Sequence, residues 1–163
     1  VQKTDKYPSL WQERILIRTA SALHDIGKIG IDEAILNKPG RLTAEEFESM
    51  KAHTTIGADM LRNLPRYQEE RLLQIAIEIC RWHHERYDGK GYPDGLVGDE
   101  IPISAQLVSI ADVYDALTSE RVYKKAFSHE KAMQMIREGE CGAFNPLLLS
   151  CLEEIADELQ AEM

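Results

Sequence analysis

The sequence predicts an all-α domain, a bundle of about five to seven helices. Three observations carry that reading. Apolar residues recur at helical spacing along most of the chain, cap residues stand where those stretches begin, and strand signals are weak.

Ser9 is placed to cap a helix from Leu10, with Gln12 completing a capping box. Leu16, Ala20 and Leu23 give that helix a buried face, and it runs straight into His24 and Asp25 before Gly27 stops it. Residues 29–42 read as a loop of Gly, Pro and isolated aliphatics. Thr43 and Glu46 form a second capping box, opening a helix that carries Met50, His53, Gly57 and Leu61 until Pro65 breaks the chain. Leu72, Ile75, Ile79 and Trp82 mark a helix over about 68–83, whose C-terminal end presents His83 and His84. Residues 87–103 are rich in turn dipeptides, and strand signals there are too weak to predict a hairpin. Ser104 starts a helix through Ser119, with Leu107, Ala111 and Ala116 on its apolar side and Asp112 and Asp115 also on it. Ser128 caps a short helix to Arg137. Asn145-Pro146 is an N-cap and N1 pair for a last helix with Leu148, Leu152, Ile155 and Leu159 in register.

The 163 residues suit one domain with one core, and 44% hydrophobic and 29% charged residues are ordinary for a globular chain. No apolar run is long enough for a membrane-spanning helix, and the polar N-terminus is no signal peptide. It also lacks an initiator Met, so the chain is expected to be a piece of a longer protein. Three cysteines without CxxC spacing (Cys80, Cys141, Cys151) read as reduced thiols of a cytoplasmic protein. A net charge of −9 argues against binding DNA or RNA duplexes or an acidic membrane surface. A small anion can still bind where local cations and metals outweigh distant carboxylates.

The chemistry concentrates in two strings, HDIGK at 24–28 and HHERYDGKGYP at 83–93. Adjacent histidines can face two metal ions only where a helix ends, and the Asp-Gly-x-Gly-x-Pro that follows supplies that end. Imidazole with carboxylate suits iron, manganese or zinc. Asp25, beside His24, can bridge two ions through its two oxygens. A lone His such as His53 is ordinarily a satisfied core or surface residue, and His129, with no carboxylate near it in sequence, reads as solvent-exposed. Asp112, in the apolar run VSIADVYDAL, needs a cation or donors if buried, and Asp115 competes with it for that role.

With HDIGKIGI, KPGRLTAEEFESMKAHTTIGADML, HHERYDGKGYP, ADVYDALTSERVYKKA and GAFNP in this order, the chain resembles the HD-GYP family, bacterial cyclic di-GMP phosphodiesterases within the HD superfamily, from about Ile15 to Ile155. The resemblance implies an HD-type helical bundle with two or three divalent metal ions, iron or manganese before zinc. It implies His24, Asp25, His53, His83, His84 and Asp112 as ligands, with Asp25 bridging. Lys28 would contact the scissile phosphate, Arg121 and Lys124 would hold ligand phosphate or guanine, and Tyr92 would pack the loop or stack on a base. The implied reaction is hydrolysis of cyclic di-GMP to pGpG and/or GMP by a hydroxide bridging the metals. Gly91, Tyr92 and Pro93 form the naming loop, associated with substrate access and with partners such as diguanylate cyclase domains. By analogy, the chain is the C-terminal output domain (1–163) of a signalling protein with an upstream receiver or sensor domain. The family departs from this chain in two places. Members carry a further His ligand on an upstream helix, whereas the 23 residues before His24 contain no His, so the first helix of the family fold is expected to be missing. Asp32 stands where many members have Pro. A chain short of one ligand leaves a second reading open, a weak or inactive module that binds metal, cyclic dinucleotide or a partner. A third, an HD hydrolase of nucleotides or alarmones, is disfavoured by the GYP loop.

Overall fold

The computed structural model describes residues 6–7, 9–120 and 125–161. Its helices are α1 (Ser9–Ser21), α2 (Glu33–Leu36), α3 (Ala44–Lys51), α4 (His53–Arg62), α5 (Arg71–Trp82), α6 (Ile103–Thr118), α7 (His129–Arg137), α8 (Pro146–Glu154) and α9 (Ala156–Ala161). Short 3₁₀ turns lie at Ile26–Gly30, Pro65–Tyr67 and Gly98–Glu100. Among the described residues there is no strand, only one isolated bridge between Asp88 and Val97. The all-α expectation holds.

The most amphipathic stretch becomes the centre of the fold. Leu73, Ile75, Ala76, Ile79 and Cys80 are buried on α5, which packs against α1, α4 and α6. Leu10, Ile17 and Ala20 of α1, Ala58 and Leu61 of α4 and Val108 of α6 complete this cluster. A second cluster joins Ile110, Tyr114 and Leu117 of α6 to Ala132, Met133 and Ile136 of α7, with Phe144, Leu149, Leu152 and Leu159 packed on it. Helix α6 serves both clusters, so it fixes the C-terminal helices relative to the α1–α5 core.

The caps fall where the sequence puts them, at Thr43 with Glu46, at Ser128 and at Asn145. Several details differ. The helix from Thr43 breaks at Ala52, and the last helix breaks at Ile155. Spacing alone continued both, because the apolar period survives such a break. The 29–42 segment holds α2, capped by Asp32, whose Oδ1 accepts the Ala34 N–H at 2.8 Å. That gives the unusual Asp32 a local role. Ser9 lies one residue inside α1 rather than before it. Leu72 and Ala111 face outward, with Leu73 taking the core position next to Leu72. His129 is not solvent-exposed. It is half-buried, with Nδ1 2.7 Å from the Tyr114 hydroxyl, because α7 packs against α6. No helix among the described residues is long and apolar enough to cross a membrane.

Candidate metal centre

Four elements meet at one point. The turn after α1 delivers His24, Asp25 and Lys28; the start of α4 delivers His53; the end of α5 delivers His83 and His84; the middle of α6 delivers Asp112. Gly27 makes the closest approach possible. A Cβ there would collide with the His53 carbonyl oxygen and lie 2.5 Å from Gly57 N, so the turn rests directly on the α4 backbone.

Asp25, His53, His83 and His84 each offer an atom such that all four lie within 4.8 Å of one another. Asp25 Oδ1 is 3.4 Å from His53 Nε2 and 3.9 Å from His83 Nε2. These three atoms are buried and have no hydrogen-bond partner. Buried polar atoms are almost always paired, so three orphans facing one another fit a cation. The distal nitrogens agree. His53 Nδ1 donates to Met50 O (2.7 Å), His83 Nδ1 to Ile79 O (2.9 Å) and His24 Nδ1 to Ser21 O (2.8 Å). Each bond fixes its ring, and on the neutral rings of His53 and His83 it leaves Nε2 as the lone-pair nitrogen, the arrangement of metal-binding histidines. The break at Ala52 places Met50, in the last turn of α3, beside His53.

Protonation divides the histidines. Burial lowers His53, carries His83 down to about 4 and, with its histidine neighbours, carries His84 down to about 3. All three are neutral near pH 7. His24 is the exception. Its Nε2 lies 3.7 Å from Asp112 Oδ1 and 3.3 Å from Asp25 Oδ2, and those carboxylates raise it to about 10 against the opposing effect of burial. Burial would raise Asp25, yet hydrogen bonds from His24 and Lys28 (Nζ–Oδ2 2.5 Å) hold it well below the usual range. His24 likewise outweighs burial at Asp112 and holds it low.

Asp115 is exposed and accepts from Ser119 Oγ, whereas Asp112 Oδ1 lies 3.7 Å from His24 Nε2, so Asp112 is the α6 carboxylate that pairs with the cluster. Tyr92 stacks on His84, with centroids 4.9 Å apart and planes 28° apart. Gly91 and Pro93 flank it across a cis Tyr92–Pro93 bond. Arg121 and Lys124 lie outside the described residues. Cys80 is no nucleophile here: burial pushes its thiol up to about 12, and Sγ donates to Leu23 O. Sequence reasoning missed Glu85, buried beside the histidine pair, and Gly27 as a contact residue. Both stand inside the two strings, where Gly27 reads as a helix stop and Glu85 carries no separate signal.

Residues 1–146 match the family model described as HD domain. The chain is 46% identical over 147 residues to a cyclic di-GMP phosphodiesterase of Vibrio cholerae, covering 90% of this chain and 30% of that protein. It is 45% identical over 143 residues to a cyclic di-GMP phosphodiesterase of Thermotoga maritima, covering 88% and 38%. It is also 42% identical over 149 residues to the 3'3'-cGAMP-specific phosphodiesterase 2 of Vibrio cholerae, covering 91% and 28%. The chain thus spans about a third of the length of these curated relatives. With a histidine–aspartate pair facing three further imidazoles and a family match across most of its length, the chain belongs to the HD domain family, in its HD-GYP branch.

Proposed function

We propose that this chain is the catalytic domain of a metal-dependent phosphodiesterase acting on cyclic di-GMP. The observation that carries the proposal is the set of three buried, unpartnered ligand atoms, Asp25 Oδ1, His53 Nε2 and His83 Nε2. His24, Asp25, His53, His83, His84 and Asp112 would hold the metal ions, and the mixed nitrogen and oxygen donors favour iron or manganese, with zinc next. When bound, such ions offset charge on a phosphate and acidify water toward neutral pH.

The chain's own residues bind and orient. Asp25 is the hub: one oxygen faces His53 and His83 while the other faces His24 and Lys28. Lys28 Nζ is partly exposed beside it and is placed to pair with a nonbridging phosphate oxygen. Tyr92 walls the site over His84 and offers a ring to a base. Arg121 and Lys124 remain proposed contacts to phosphate or guanine. Hydrolysis adds water across one phosphodiester, breaking the bond from phosphorus to a 3′ oxygen and leaving the linear dinucleotide pGpG, with GMP as the product of a second cleavage.

The similarity to a 3'3'-cGAMP-specific phosphodiesterase favours a second reading of the substrate, with one guanine exchanged for adenine. Both readings meet one test. The manganese-loaded chain is given cyclic di-GMP and 3'3'-cGAMP separately, and linear products are separated by chromatography. Faster turnover of cyclic di-GMP is expected. Turnover of 3'3'-cGAMP alone moves the assignment to that substrate, and no turnover of either by a chain that has bound manganese overturns the catalytic reading. We also propose that the chain acts as one domain of a longer signalling protein.

A further inference from the structure

The loop carrying Gly91, Tyr92 and Pro93 is fastened to the end of α5 at several successive points. The Asp94 carboxylate accepts two bonds from the Arg81 guanidinium (both 2.8 Å) and one from the Trp82 indole N–H (2.7 Å). The Tyr92 N–H donates to the His84 carbonyl (3.3 Å). Glu85 is only 4% exposed, and its carboxylate accepts the backbone N–H groups of Asp94 (2.7 Å), Gly95 (3.0 Å) and Leu96 (3.1 Å). A Cβ at Gly91 would lie 2.5 Å from Glu85 Cα and collide with Arg86 N, so the loop backbone is seated directly on that of the helix end. A buried carboxylate is costly unless several donors converge on it, and here three do.

What this fastening holds in place is Tyr92. Its ring stacks on His84, Phe47 meets it nearly edge-on at 6.3 Å, and Lys51 Nζ lies 5.4 Å from its centroid. The need for such a support is visible in the other histidines. His24, His53 and His83 each lock their ring by an Nδ1–H bond to a backbone carbonyl. No such bond is found for His84 among the described residues. Its ring is set by its contacts with His53, His83 and Tyr92. A ligand imidazole without an oriented second nitrogen pays for its freedom on binding metal, so another group has to orient it.

We infer that Glu85 is a positioning residue of the metal centre, holding the 91–96 loop so that the Tyr92 ring fixes His84 toward Asp25, His53 and His83. The inference rests on reading the cluster as a metal site, and its test reads metal affinity instead of turnover. Manganese(II) affinity is measured by chelator competition for the wild-type chain and for Glu85→Ala, Tyr92→Ala and Tyr92→Phe, with circular dichroism to verify folding. The visible spectrum of the cobalt(II)-loaded forms reports ligand geometry. Glu85→Ala and Tyr92→Ala are expected to lose about 10- to 100-fold in affinity, the range for losing a group that orients a ligand. Tyr92→Phe keeps the ring and is expected to retain wild-type affinity and spectrum. The double variant Glu85→Ala/Tyr92→Ala is expected to lose no more than either single one, since both act through one ring. Folded Glu85→Ala and Tyr92→Ala variants with wild-type affinity overturn the inference, as does a Tyr92→Phe variant that loses as much as Tyr92→Ala. If Glu85→Ala does not fold, the two Tyr92 variants decide alone. A wild-type chain that binds no manganese overturns this inference and the metal reading together, whereas unaffected variants of a wild-type chain that binds overturn this inference only.

Discussion

Gly27→Ala measures how much the centre depends on the contact between the turn after α1 and the α4 backbone. The new Cβ would overlap the His53 carbonyl oxygen and sit 2.5 Å from Gly57 N. Both obstacles are backbone atoms of a helix, so neither can rotate aside. Opening the Gly57 contact alone to the 3.0 Å that real Cβ contacts respect moves the turn by about half an ångström, and the carbonyl oxygen demands more. The turn carries Asp25, and α4 carries His53, whose ligand atoms now lie 3.4 Å apart. Metal–ligand distances tolerate only about 0.2 Å. The substitution therefore exceeds what the site can absorb, and overpacking of this kind costs about 1–3 kcal/mol or more of stability. Urea unfolding and chelator competition with manganese provide the assay. The expected result is a lowered midpoint together with a loss of affinity beyond the roughly 10- to 100-fold of an orienting group. Gly30→Ala is the control, because its Cβ would meet only the movable Ile56 side chain at 3.0 and 3.2 Å, and it should stay within about 0.5 kcal/mol of wild type. A Gly27→Ala chain with wild-type stability and affinity would refute the reasoning.

His83→Ala removes a buried ring at the middle of the cluster, and elemental analysis after dialysis should show loss of bound metal; unchanged stoichiometry would contradict the ligand assignment. Asn145→Ala should lower the urea midpoint by the equivalent of about 1 kcal/mol for the lost cap on Leu147 and a further ~1–3 kcal/mol for the Gln106 carbonyl left without its 2.9 Å donor. In the metal-free chain His24 is raised to about 10, so its contribution to stability is fully present below its ordinary value of 6.5 and is lost as pH rises through about 10; urea midpoints of wild type and His24→Gln should converge above that pH. Asp25 and Asp112 are held low, so their contribution is present above the ordinary carboxylate range and is lost on acidification, which the same titration should show below about pH 4. At pH 7.5, metal binding should release about one proton from His24, read by calorimetry in buffers of different ionisation enthalpy; no dependence on the buffer would count against His24 as a ligand.

The strings HDIGK and HHERYDGKGYP were legible as chemistry because histidine pairs beside carboxylates and turn residues are rare together. Helix starts were legible because Thr43, Ser128 and Asn145 act locally, through side-chain oxygens that accept N–H groups two or three residues on. Breaks were not. Ala52 and Ile155 interrupt helices without Pro or Gly, and the cause is tertiary: α4 must turn to seat against the Gly27 turn, and α9 packs with the second cluster. The burial of Glu85 was equally hidden, since its three donors lie nine to eleven residues on, in a loop with no helical or strand period. His129 misled for a related reason: its partner Tyr114 lies fifteen residues earlier, on a different helix.

For a chain of net charge −9, the proposed dianionic dinucleotide substrate calls for local positive charge, and the arrangement of protons bears on where it would arise. His53 and His83 are buried and His84 is half-buried; all three are neutral and bring lone pairs without charge. Among the described residues, the charged groups that pair with one another at the cluster are the carboxylates of Asp25 and Asp112 and the cations of His24 and Lys28, so two negative charges face two positive ones. His24 then occupies, between two carboxylates, the electrostatic place of a metal. Exchanging its proton for divalent ions would turn the balance positive, and bound ions would become the largest local charges. Surface carboxylates more than about 8–10 Å away are screened at physiological salt and cannot cancel that charge. Phosphate affinity should therefore be conditional on metal, and nearly indifferent to neutralising distant acidic residues such as Glu153 or Glu158. On the proposed reading, the acidity of the chain and the anionic nature of its substrate are compatible because recognition would rest on an internal exchange of protons for cations, not on the surface.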